Sequence, residues 1–115
     1  MKYMLLIYSN EGEMQAAPRA EIDQRMAAYQ AYTDAMLQTG ILVAGDRLQR
    51  ASSATTVRVA DGKTRVLNGP YAETREQLGG YYLIDVADLD AALSWAARCP
   101  GAGYGTIEVR PIWAM

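Results

Sequence analysis

The chain has 115 residues, eleven Lys and Arg against thirteen Asp and Glu for a net charge of -2, one cysteine and no histidine. That length makes one domain, spanning 1–115, with a real hydrophobic core and no room for a second. The charge balance excludes the basic patch that direct nucleic-acid binding needs, and the missing His removes the usual zinc ligands and any Ser-His or Cys-His nucleophile pair, so no metal and no cofactor is expected and chemistry falls to carboxylates, tyrosines and basic groups.

In chain order, Met4 to Ile7 is almost fully apolar and ends in Ser9-Asn10-Glu11-Gly12, the pattern of a strand buried on both faces. The apolar stretch Tyr3 to Tyr8 is too short for a signal-peptide core or a membrane span, and the lone Cys99 cannot close a disulfide within the chain, so the sequence reads as soluble and cytoplasmic. After a mobile Ala-Pro segment, Ile22, Met26, Tyr29, Thr33, Met36 and Leu37 recur at helical spacing, with Pro18 placed for a first turn and Gly40 just past the end. Ile41 to Ala44 gives a second strand running into Gly45-Asp46. Thr55 to Ala60 faces Lys63 to Leu67 across Asp61-Gly62, a dipeptide that tolerates the positive backbone angles of a type I′ hairpin. Tyr81 to Val86 is another apolar strand, and Asp88 caps a helix with Leu89, Ala92, Leu93 and Ala96 on one face before Pro100 and Gly101 end it. Thr106 to Ile112 is the last strand.

This order is an α+β, ferredoxin-like βαββαβ plan with an inserted β-hairpin. Two helices cover one face of a four-stranded sheet, yet Met4-Leu5-Leu6-Ile7 and Tyr81-Tyr82-Leu83-Ile84 are apolar on both alternating faces. The second face therefore calls for a partner, most simply a second copy in a two-fold homodimer with the two sheets face to face.

The densest cluster of chemistry lies in Asn68-Gly69-Pro70-Tyr71-Ala72-Glu73-Thr74-Arg75-Glu76-Gln77-Leu78-Gly79-Gly80-Tyr81-Tyr82. It resembles the signature of the YCII-related family, in the branch named for an Asp-Gly-Pro-Phe motif, with Asn68 in the place of the Asp and Tyr71 in that of the Phe. The runs Lys2 to Tyr8, Tyr82 to Asp90 and Gly105 to Ile112 fit the same branch. The resemblance implies a dimeric α+β barrel, and it associates this branch with extracytoplasmic-function sigma factors. Related YCII-type proteins carry a His and Asp pair regarded as an active site, and one relative is a dehydrochlorinase. This chain has no His, so an imidazole base does not transfer, and Asn68 takes no proton where the motif's Asp would.

Gly69-Pro70 fixes a turn. Asn68 and Tyr71 beside it either build that turn and pack, or bind a ligand. Glu73, Arg75 and Glu76 next to Gly79-Gly80 form either a solvated turn and a glycine bend into a strand, or a small-molecule pocket with a carboxylate acid or base and an arginine anchor. Asp46 is the other candidate carboxylate, and Tyr81 a ligand contact; Tyr8, Tyr81 and Tyr82 also suit core or interface positions. Cys99, at a helix end where the dipole does not lower its pKa, reads as packing. The functional expectation is a small-molecule-binding domain working as an acid–base lyase or isomerase, with Glu73 or Asp46 as base and Arg75 or a tyrosine hydroxyl stabilising negative charge. The alternative is a non-catalytic ligand-binding or regulatory dimer linked to a sigma factor.

Overall fold

The computed structural model describes residues 1–114. The chain order is β1 (Lys2–Ser9), α1 (Glu11–Ala16), α2 (Arg19–Thr39), β2 (Leu42–Arg47), β3 (Thr55–Ala60), β4 (Lys63–Asn68), β5 (Gln77–Asp85), α3 (Leu89–Arg98) and β6 (Thr106–Pro111), with single 3-10 turns at Ala51–Ser53 and Pro100–Gly103. Four strands form one antiparallel sheet in the order β2-β5-β1-β6, the ferredoxin-like arrangement, and β3 pairs with β4 as a separate two-stranded unit. The turn of that hairpin has positive φ at both Asp61 (53°) and Gly62 (72°), as a type I′ turn requires.

Between β1 and the Ala-Pro segment, where the sequence offers no element, the chain forms the short helix α1. Asn10 caps α1, its side-chain oxygen accepting from the Glu13 N–H at 2.9 Å. α2 begins after Pro18 and ends at Gly40, whose φ of 78° turns the chain out of the helix. Its inward stripe is Ile22, Arg25, Tyr29, Tyr32, Thr33 and Met36, whereas Met26 and Leu37, expected on that stripe, are exposed. Several partly apolar stripes are equally regular in this sequence, and tertiary packing selects among them. On α3, capped by Asp88 through the Ala91 N–H at 2.9 Å, Ala92 and Ala96 are buried while Leu89 and Leu93 stay about half exposed. Small residues win the inner face because they let the helix lie close to the sheet.

The core sits between the helices and one face of the sheet: Tyr3 and Leu5 of β1, Ile84 of β5, Tyr32 and Met36 of α2, Ala92 and Ala96 of α3, then Val86 and Cys99. The Tyr32 ring meets Tyr82 edge-on at 5.5 Å between centroids, and its hydroxyl donates to the Trp95 carbonyl at 2.7 Å. Tyr32→Phe leaves that carbonyl without its partner, so it is expected to cost about 1–2 kcal/mol in urea denaturation, with an unchanged slope. Cys99 is buried against Tyr29, its thiol pushed up by desolvation, in keeping with a packing role.

Strand alternation sends the other half of each strand away from the helices. The molecule measures 48 × 44 × 19 Å, a plate only two layers thick, so among the described residues no element lies over that second sheet face. The radius of gyration is 16.1 Å, against about 13 Å for a compact domain of this length. The projecting β3–β4 arm accounts for the excess. No helix among the described residues is long and apolar enough to cross a membrane.

Candidate functional site

The open sheet face is built by register. Tyr3 and Leu5 point into the core, so Met4, Leu6 and Tyr8 point outward. Pairing of β2 with β5, β5 with β1 and β1 with β6 then sets Asp46, Tyr81, Leu6 and Glu108 in one row across the sheet, with Ala44, Leu83, Met4 and Arg110 in the next. The result is an apolar floor of Leu6, Met4 and Leu83 with polar groups at both sides. With strands about 4.8 Å apart, the Tyr81 and Glu108 backbones stand about 10 Å apart across Leu6.

At one side the Tyr81 hydroxyl donates to the Asp46 carboxylate at 2.7 Å. That bond, with the nearby negative charge, raises the Tyr81 pKa, so the phenol stays a proton donor well into alkaline solution. At the other side Tyr8 donates to Glu108 at 3.2 Å and the Arg110 Nε donates to the second Glu108 oxygen at 2.8 Å. The Arg110 bond lowers the Glu108 pKa, while partial burial and Glu108 raise that of Tyr8. Along the same edge Thr106 donates to Glu76 at 2.7 Å. The face thus presents two carboxylates, Asp46 and Glu108, each accepting from a phenol, an arrangement suited to moving a proton.

The cluster from Asn68 to Gly80 is spread over several places. Glu73 and Arg75 are exposed and lie in two neighbouring shallow grooves that meet at Asn10. Arg75 lines one of about 430 Å³ with Glu13 and Glu76, and Glu73 lines one of about 370 Å³ with Arg50, Pro70 and Gln77. Among the described residues neither forms an ion pair. Asn10 ties this edge together, its amide donating to the Arg75 carbonyl at 3.2 Å while the Glu11 N–H donates to the Gln77 side chain at 3.0 Å. Asn68 ends β4 opposite Thr55, and Tyr71 is 78% exposed with Arg58 5.5 Å from its ring centroid. Gly69 has a φ of 116°, open to glycine alone at low cost; its N–H donates to the Ala54 carbonyl at 2.7 Å, and its own carbonyl accepts from Thr56 at 2.8 Å. The motif therefore clasps the base of the arm.

Gly79 and Gly80 lie inside β5, where a bend leading into a strand was expected. The register slips there between β1 and β5, and a side chain on Gly80 would come within 2.9 Å of the Asp46 carbonyl, so the close approach is by the β2 backbone. Of the sequence candidates, the structure brings Asp46 and Tyr81 together and leaves Glu73, Arg75, Asn68 and Tyr71 on other surfaces. Sequence reasoning missed Glu108 as the partner of Tyr8 and Arg110 as the partner of Glu108. Their signal was the alternation Thr106, Glu108, Arg110 against Ile107 and Val109, which marks one polar strand face.

The YCII-related domain model matches residues 1–115. The chain belongs to the YCII-related family. An uncharacterised protein of Rhizobium meliloti (strain 1021) is 39% identical over 114 residues, covering 97% of this chain and 92% of that one. Among solved structures, 5-chloro-2-hydroxyhydroquinone dehydrochlorinase (TftG) from Burkholderia phenoliruptrix AC1100, in complex with 2,5-dihydroxybenzoquinone, superposes with a TM-score of 0.56. It is 16% identical and the match covers 98% of this chain and 94% of that one. At that identity the likeness bears out the ferredoxin-like α+β fold of this YCII-related chain and leaves the chemistry to its own residues.

Proposed function

We propose that this YCII-related protein is a small-molecule-binding homodimer whose site is the open sheet face, working as an acid–base lyase or isomerase. The observation that carries this reading is the Tyr81 hydroxyl held on the Asp46 carboxylate at 2.7 Å, above an apolar floor and at the end of a row that also holds Glu108. Asp46 keeps a free carboxylate oxygen to take a proton from a bound carbon acid or hydroxyl, and as that carboxylate is neutralised the single O–H of Tyr81 turns from it to donate to the charge left on the ligand. The second copy closes the face, excludes water and turns an open floor into an enclosed site. Glu73 and Arg75 sit at the neighbouring edge, where they meet an incoming ligand rather than its reacting atoms.

Fragment screening by amide and methyl NMR tests this. Binders are expected to shift Leu6, Leu83, Asp46 and Tyr81 together, and Asp46→Asn, which keeps shape and removes the base, to abolish turnover of any substrate found with little change in melting temperature. Glu73→Gln is expected to fold normally and to weaken ligand capture by less than Asp46→Asn does. Binders that shift only Asn10, Glu73 and Arg75 would move the site to the grooves. Binding on the sheet face without turnover of any ligand would favour the non-catalytic, regulatory reading.

A further inference from the structure

The β3–β4 arm has two unlike faces. Pairing sets Val57, Val59 and Val66 with Thr55, Thr64 and Asn68 on one side, an uncharged and mostly β-branched surface, and Arg58, Lys63 and Arg65 with Thr56, Ala60 and the exposed Leu67 on the other. The three valines are 58%, 69% and 60% exposed. A lone two-stranded hairpin is marginal in water, since it has no face on which to bury its side chains. This one nonetheless carries three valines in a row and is clasped at its base by Gly69, which fixes its direction.

We propose that the valine face of the arm docks on the body of a second copy, so that each chain of the dimer grips the other. The inference rests on the dimer proposed above and adds a second contact to it. Charge favours this occupant: Arg58, Lys63 and Arg65 against Asp61 leave the arm at net +2, so the remainder of a chain whose total is -2 carries -4. An arm of one copy is thus drawn to the body of the other, and two-fold symmetry makes the contact twice. The partner buries the valines, while the guanidinium groups stay at the rim, where Tyr71 lies against Arg58.

Sedimentation across a concentration series, with amide hydrogen exchange of residues 55–68, tests the arm. In the wild type the arm amides are expected to become protected as the dimer forms. The double variant Val57→Lys, Val66→Lys is expected to weaken dimerisation by about 30-fold or more with an unchanged monomer fold, because neither residue touches the core. Should that variant fold poorly, the exchange data on the wild type decide alone. A wild-type dimer with unprotected arm amides, or a variant that dimerises like the wild type, would overturn the arm contact and leave the sheet-face dimer standing. A wild type that is monomeric throughout would remove both. Arm protection that appears only with anionic phospholipid vesicles would also overturn the proposal, by naming a different partner.

Discussion

Met36→Ala is expected to lower stability by about 2–5 kcal/mol, a large share of the total available to a domain of this size. Met36 is fully buried on the inner stripe of α2, in one cluster with Leu5 and Ile84 of the sheet and Tyr32 of its own helix. The vacated volume is bounded by two central strands and a helix tied to α3 through the Tyr32 hydroxyl and the Trp95 carbonyl. Little of it can collapse, so the cavity term adds to the lost transfer energy. Urea denaturation of wild type and variant under one condition measures the difference. A loss under about 1 kcal/mol would show that the helix layer moves freely on the sheet and that the core is looser than its burial indicates.

Leu6→Asp is expected to turn the proposed dimer into a folded monomer. Leu6 lies mid-row on the open face, flanked by Tyr81 and Glu108, with Asp46 beyond Tyr81. In a single chain the position borders water and tolerates a carboxylate. In the proposed interface the new charge would be desolvated beside Glu108, and Arg110, the cation in the next row, is already held by Glu108 at 2.8 Å, a cost of several kcal/mol that association cannot absorb. The variant is expected to keep a cooperative thermal transition while losing the sheet-face ligand signals. If Leu6→Asp remains dimeric, the two copies do not meet through this face. If it fails to fold, Leu6 belongs to the core rather than to a surface.

The order of elements was legible because its signals are local: the apolar runs at Met4 and Tyr81, Asp61-Gly62 at the hairpin, Asp88 and Gly40 at helix ends. The short helix α1 was missed, although Asn10 and Glu13 stand at capping spacing, because six residues carry no apolar period to detect. The inner faces of α2 and α3 were misjudged at Met26, Leu37, Leu89 and Leu93, since the sequence offers several stripes and only contact with the sheet selects one.

The site was legible in fragments. Asp46 and Tyr81 were both singled out, but they stand 35 positions apart and only the β2–β5 register places them side by side. The cluster of charge between Glu73 and Glu76 drew attention by proximity in sequence. Side chains that are neighbours along a loop point different ways, and here Glu73 and Arg75 fall in separate grooves while Glu76 turns to Thr106. Glu108 and Arg110, which meet beside Tyr8, were hidden for the opposite reason: they stand in a short alternating strand that reads as ordinary amphipathic sheet until its partner strand is known.

The account stands on the open sheet face being closed by a second copy, and sedimentation of the wild-type protein at micromolar concentration tests that most directly. It predicts a species of twice the 12.6 kDa chain mass that dissociates on dilution. A single 12.6 kDa species at every concentration would contradict it.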